Sequence, residues 1–90
     1  MHSQVTTVIN VSGLHARPAG LFVAEAKKYA SDITIRNIST DSVKKNAKSI
    51  ISILGLAMVT GSEVEISAQG DDSQQAVTDL IAFIDSGCGE

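Results

Sequence analysis

Apolar and polar positions along this chain recur with two periods, and they divide it into seven elements. Val5 to Asn10 is rich in Val, Ile and Thr and predicts a strand, although adjacent Val8 and Ile9 leave its buried face undetermined. Ser12-Gly13 breaks it. Ala19, Phe22, Val23, Ala26 and Ala30 then recur at three- and four-residue spacing, predicting a helix from Ala16 to about Tyr29 with Pro18 in its first turn. Ile33 and Ile35 alternate with Thr34 and Arg36 as a second strand. Ser39 to Ser42 reads as a polar turn, and Val43 to Ala47 as a short, lysine-bearing edge strand. Ser49 precedes a brief apolar helix over Ile50, Ile51, Ile53 and Leu54 that stops near Gly55. A fourth strand starts near Gly61, with Val64, Ile66 and Ala68 facing in and Glu63, Glu65 and Ser67 facing out. Asp72 or Ser73 caps a last helix whose Ala76, Val77, Leu80, Ile81 and Ile84 form one stripe, and Gly87 and Gly89 let the end fray.

The order is β-α-β-β-α-β-α. Clean alternation in the second and fourth strands implies a sheet with one buried face, the antiparallel habit. Three striped helices over that face give a two-layer α+β domain. Its 90 residues suffice for one domain, 1–90, and no repeat or linker interrupts them.

Composition narrows the function classes. A hydrophobic fraction of 43% with 19% charged residues describes a folded chain, not a disordered one. No apolar run approaches the ~20 residues that cross a bilayer, and Met1-His2-Ser3-Gln4 lacks the layout of a secretory signal, so membrane insertion is not expected. The single cysteine, Cys88, excludes an internal disulfide and a multi-cysteine metal site, which makes a reducing cytoplasm the expected compartment. Three aromatics and a net charge of −3 argue against a nucleic-acid binder. The charge is segregated. Residues 1–48 carry seven bases against three acids, leaving +4, whereas residues 49–90 carry seven acids and no base. A positive lobe on an acidic body suits a phosphate group or an acidic partner.

His15 is the candidate centre within that lobe. It follows Gly13-Leu14 where irregular chain meets the first helix, and a helix N-terminus offers free N–H groups and partial positive charge to an anion. Arg17 adds a permanent cation with several donors, and Ser12-Gly13 a small, flexible approach. Ser12, Ala16 and Arg17 are thus candidate phosphate-binding positions. A histidine nucleophile with adjacent N–H groups and an arginine is what reversible phosphoryl transfer needs. No acidic or metal-holding cluster lies nearby, so no metal and no cofactor is expected. A lone histidine at a helix start is more often a cap or a solvated surface group.

Gly13-Leu14-His15-Ala16-Arg17-Pro18-Ala19 resembles the phosphorylation-site signature of the HPr family, the histidine phosphocarriers of the bacterial phosphoenolpyruvate-dependent sugar phosphotransferase system. Asn46-Ala47-Lys48-Ser49-Ile50-Ile51 resembles its second signature, and Glu65-Ile66-Ser67-Ala68-Gln69-Gly70 its last strand. The element order matches the family's open-faced β-sandwich. The resemblance implies that His15 accepts a phosphoryl group on Nδ1 from enzyme I, that Arg17 engages the phosphoryl oxygens, and that His15 donates to a IIA component of a sugar permease. The chain would then be a carrier rather than an enzyme, and a monomer. It also implies a docking face made of Gly20 and Phe22 near the start of the first helix. Ile50, Ile51 and Leu54 form its apolar patch, and Arg17, Lys27 and Lys48 rim it. Four apolar residues in five cannot all face one way, so that helix must divide between core and surface.

Ser49 is a competent N-cap on its own account. In relatives that coexist with an HPr kinase/phosphorylase the matching serine is a regulatory phosphosite, where phosphate adds roughly −1.5 to −2 charge. Departures from the family pattern lie in the long Asn37–Lys44 turn, in Lys45, and in Gly20. Cys88, in an end expected to be loose, has no assigned role. A second reading is an HPr-like regulatory module of the nitrogen-related branch, acting mainly by docking. Repression-type paralogues usually lack the active histidine, against which His15 speaks. A domain cut from a longer fusion is a weaker reading, since Met1 and Gly87–Glu90 resemble natural termini.

Overall fold

The alternation of Val64, Ile66 and Ala68 with Glu63, Glu65 and Ser67 decides which way the sheet faces. A computed structural model describes residues 1–90, with strands β1 (His2–Thr7), β2 (Asp32–Asn37), β3 (Lys45–Asn46) and β4 (Glu63–Gln69). They form one antiparallel sheet in the order β1-β4-β2-β3. Ile66 of β4 stands between Gln4 of β1 and Ile35 of β2. Helices α1 (Ala16–Ala26), α2 (Ile50–Gly55) and α3 (Ser73–Asp85) cover one face, and the other is open. This is the expected α+β, open-faced β-sandwich.

The core is one cluster of 21 buried residues. The α3 stripe enters it whole: Ala76, Val77, Leu80, Ile81 and Ile84 are all buried. From α1 come Ala19, Phe22, Val23 and Ala26, and Phe22 meets Phe83 of α3 at a tilted 6.1 Å ring separation. Fully burying a side chain of that size stabilises by about 1.5–3 kcal/mol.

The edges of elements depart from expectation. β1 runs His2–Thr7 rather than from Val5 to Asn10. Register places His2, Gln4 and Thr6 opposite the inward Ala68, Ile66 and Val64, so its helix-facing side is polar and its apolar Val5 lies on the open face. Thr6 can occupy that side because its hydroxyl hydrogen-bonds Asp85 of α3. Val8 is buried beyond the strand, in the loop, exchanging bonds with Ser62 and Gly61. Helix α1 ends at Ala26 instead of near Tyr29, because the amides of Lys28 and Tyr29 close shorter turns onto Glu25 and Ala26. β3 is only Lys45–Asn46. The segment before it forms a 3₁₀ turn (Ile38–Thr40) closed by Asp41 in the left-handed region, with the Asn37 side chain accepting from the Ser39 amide.

Asp72 stands at the N-cap of α3, but its carboxylate does not cap that helix. It turns instead to the start of β2, accepting from the amides of Ala30 at 2.8 Å and Ser31 at 3.0 Å and from the Ser31 hydroxyl. That hydroxyl, followed by the Ala30 amide, holds the Asp72 carboxyl below the usual carboxylate range.

The expected frayed end is ordered. Gly87, at a φ of 96°, donates to Ile84 O, and Cys88 donates to Phe83 O. These two bonds make a Schellman close to α3, which needs a left-handed residue where Gly87 stands. The reversal carries Cys88 inward until its side chain is fully buried in the core. Burial, with the Glu90 charge near, pushes the thiol up to about 11.

Two outcomes follow. Asp72 has a lower pKa folded than unfolded, so its stabilisation is complete above the unfolded value of about 3.9 and is lost as pH falls from there through the folded value. The urea midpoint of Asp72→Asn should therefore change less between neutral and acid pH than that of the wild type, and parallel pH curves would refute the clamp. Cys88 should react slowly with an aromatic disulfide reagent at neutral pH and fast in denaturant, and fast native labelling would place it outside the core.

Candidate functional site

The loop Val8–His15 owes its path to one close approach. Gly13 lies at a φ of 63°, and a Cβ built there would overlap the Met58 carbonyl oxygen and stand 2.9 Å from Val59 Cα. No other residue fits. The contact lets the next amide, Leu14 N, donate to Met58 O at 2.9 Å, while the Leu14 side chain is fully buried. Anchored by Leu14 inside, the chain presents His15 outside.

His15 is the N-cap residue of α1, in extended conformation with φ −134° and ψ 160°. It is exposed, and its side chain makes no capping bond to the helix. Ala16 follows with a φ of 52°, a left-handed conformation that costs an L-residue about 1–2 kcal/mol. That turn lets extended chain enter the helix abruptly, so the first free amides of α1 lie directly beside His15. Pro18 and Ala19 are buried and seat the first turn. Both surface concavities lie elsewhere, on the β2–β3 side around Asp32, Thr34 and Lys44. His15 therefore stands on the surface outside either concavity.

The candidate phosphate-binding positions are brought together, but not empty-handed. Ser12, Ala16 and Arg17 are exposed around His15. The Ser12 hydroxyl donates to Glu90 at 2.8 Å, and Arg17 Nη1 donates to Gly89 O at 3.3 Å. Asn10 donates through Nδ2 to Gly13 O at 2.9 Å and to Glu90 at 2.8 Å. Hydrogen bonds from Asn10 first, then Ser12, hold the Glu90 carboxyl below the usual range, and the Arg17 charge adds to them. Asn10 and Glu90 were not legible as site residues from spacing. The available signal was Gly87 followed by apolar Cys88, the pattern of a Schellman close that folds a chain end back.

Helix α2 supplies the neighbouring surface. Ser49 caps it, its Oγ accepting from the Ser52 amide at 3.3 Å. Of its apolar residues only Ile53 is buried, whereas Ile50, Ile51 and Leu54 are 41%, 80% and 38% exposed. Helices α1 and α2 are in contact. Gly20 is exposed with open space around it, and Lys27 is exposed. Phe22 is not on this surface: it is fully buried against Phe83, because its place in the α1 stripe faces the core. Lys48 is half-buried and committed, its Nζ donating to Tyr29 O at 2.7 Å, so it ties α2 to the end of α1 rather than standing free on the rim. The charge segregation of the sequence is likewise undone locally, since Glu90 returns to the basic lobe.

Known proteins align with this arrangement over nearly its full length. The family model described as the PTS HPr component phosphorylation site matches residues 2–86. The Phosphocarrier protein HPr of Haemophilus influenzae is 42% identical over 84 residues, covering 93% of this chain and 95% of that one. The HPr-like protein Crh of Bacillus subtilis is 47% identical over 73 residues, covering 81% of this chain and 82% of that one. The chain is also 38% identical over 86 residues to the Multiphosphoryl transfer protein of H. influenzae, spanning 96% of this chain but 17% of that protein's length. Among solved structures, HPr-C-His from Thermoanaerobacter tengcongensis superposes with a TM-score of 0.93 at 42% identity, covering 100% of this chain and 98% of the other.

Gly13→Ala tests the loop. It combines a left-handed alanine with a backbone overlap and should lower unfolding stability by about 2–4 kcal/mol. Equilibrium denaturation measures this, and a loss well under 1 kcal/mol would mean that the Met58–Val59 contact does not hold the loop.

Proposed function

The chain belongs to the HPr component family of the phosphotransferase system, and on that premise we propose that it is a phosphocarrier working through His15. In this reading His15 accepts on Nδ1 a phosphoryl group that enzyme I has drawn from phosphoenolpyruvate, and hands it to a IIA component of a sugar permease. The observation that carries it is an exposed histidine, uncommitted to its own helix, inside a match to the phosphorylation-site family that spans residues 2–86.

The chemistry asks little of the chain. The bond from phosphorus to the donor breaks as the bond to the His15 nitrogen forms, and the reverse occurs when the group moves on. Arg17 and the first amides of α1 stabilise the phosphoryl oxygens through both steps. The carrier turns over only with its partners and requires no cofactor of its own. Residues 1–90 act as one domain, in the cytoplasm, where those partners work. No helix is long and apolar enough to cross a membrane.

Docking falls to the face beside His15. Exposed Ile50, Ile51 and Leu54 give it an apolar centre, with Gly20, Arg17 and Lys27 around it. A polar rim on a small apolar core favours transient partners of opposite charge. Phosphorylation of Ser49 by an HPr kinase/phosphorylase would preserve an acceptor at the α2 N-terminus while placing charge beside that apolar centre, so it would impair docking before it impaired folding.

A docking-only reading has one observation in its favour, the 47% identity to the HPr-like protein Crh. In that reading, including a nitrogen-related branch, protein contacts rather than phosphoryl flux are the output.

Incubation with phosphoenolpyruvate and enzyme I, followed by ³¹P NMR, separates the two. An acid-labile phosphoramidate signal is expected in the wild type and absent in His15→Ala. Arg17→Ala removes a charge-assisted contact of about 1.5–3 kcal/mol and should slow transfer by about one to two orders of magnitude. Ser49→Asp should slow it while leaving the denaturation midpoint near that of wild type. No signal with the cognate enzyme I would overturn the carrier reading.

A further inference from the structure

We infer that Asn10, Ser12 and Arg17 form an anion seat that Glu90 fills from within the chain, and that a phosphoryl group on His15 displaces Glu90 from it. The displacement step rests on the phosphocarrier reading; the seat itself does not.

The seat is defined by its donors. Glu90 Oε1 accepts from Asn10 Nδ2 at 2.8 Å and from the Ser12 amide at 3.4 Å, and Oε2 accepts from the Ser12 hydroxyl at 2.8 Å. Arg17 reaches the preceding carbonyl, Gly89 O, and its charge acts on the carboxylate. Asn10 is the fixed member: it is 7% exposed, and its Oδ1 is buried without a partner. Turning the amide over would aim Oδ1 at two acceptors, Gly13 O and Glu90 Oε1, so the observed orientation is enforced. One buried lone pair goes unsatisfied to keep two N–H groups pointing outward. Leaving a buried acceptor unpaired is costly, and the two bonds from Nδ2, one of them to an ionised group, offset it.

Hydrogen counting makes occupancy exclusive. The Ser12 hydroxyl has one hydrogen and its amide one, and Asn10 Nδ2 has two, of which one goes to Gly13 O. Glu90 takes all the rest. A phosphoryl group arriving three residues from Ser12 finds no free hydrogen on either residue until the carboxylate leaves, and two adjacent anions repel. Glu90 is delivered by a segment with its own anchor. Cys88 is held in the core and the Schellman close fixes Gly87, so the movement that frees the carboxylate begins at Gly89. The carboxylate thus satisfies the site when His15 is unmodified and yields it on phosphorylation.

Inorganic phosphate is the probe, followed by the NMR signals of the Ser12 amide and the Asn10 side-chain amide. In the wild type these signals should not respond. In Glu90→Ala they should shift saturably, and adding Ser12→Ala should abolish the response. Glu90→Gln, which keeps the shape and loses the charge, should give a weaker version of the Glu90→Ala result. On phosphorylation of wild-type His15 the Glu90 amide should gain mobility and faster hydrogen exchange. At a fixed ratio of phosphoenolpyruvate to pyruvate, Glu90→Ala should hold a several-fold higher ratio of phosphorylated to free chain. An unresponsive Glu90→Ala would overturn the seat. A responsive one whose phosphorylation equilibrium matches wild type would overturn the displacement. A wild-type chain that never acquires phosphohistidine would sink the carrier reading, and the phosphate titration would still decide the seat.

Discussion

The backbone of Gly13 against Met58 and Val59 is the contact on which the placement of His15 depends. Two irregular segments, Val8–His15 and Leu56–Ser62, have no sheet ladder between them. They are joined by bonds from Val8 to Ser62, Gly61 to Val8 and Leu14 to Met58, with the Thr60 hydroxyl on Asn10 O. A side chain at position 13 would force them apart. Because they stay together, Leu14 reaches the core and His15 cannot. Exposure of His15 is therefore a consequence of the packing beneath it.

The same junction explains why His15 sits against free helix amides. Extended conformation at His15 and a left-handed Ala16 turn the chain into α1 within one residue. The conformational cost at Ala16 is borne by burial of Leu14 before it and Pro18 and Ala19 after it. Local strain of this kind persists only where surrounding structure over-determines it. Anchors on both sides supply that condition.

What could be read from the residues was whatever repeated. The α3 stripe, the alternation in β2 and β4, the Ser49 cap and the place of His15 at the start of α1 all follow from spacing within a single element. Phe22 shows the limit: its helical period already placed it with Ala19, Val23 and Ala26 in the core, and only family likeness moved it to the surface. Features that depend on partners far along the chain were not legible. β1 turns His2, Gln4 and Thr6 toward the helices because α3 brings Asp85 to Thr6, and nothing in residues 2–7 announces that. Asp72 looks like a cap and serves Ala30 and Ser31, more than forty positions away. Gly87 looked like a place to fray because glycine loosens a chain. Followed by apolar Cys88 at the close of a helix, it marks a reversal instead.

That reversal changes the electrostatic reading of the whole site. Segregated charge suggested a basic lobe free to attract acidic partners. With Glu90 returned to Ser12 and Asn10, the lobe carries its own counter-charge at the spot where a phosphoryl group would add another. A carrier must bind its phosphoryl group well enough to hold it and weakly enough to give it up. If the inferred displacement holds, an internal carboxylate competing for the same hydrogens would lower the net gain from those bonds without removing any donor. On the proposed carrier reading, transfer onward would regain the Glu90 contacts as the phosphoryl contacts are lost, which would keep the two states closer in free energy than the donors alone would set them.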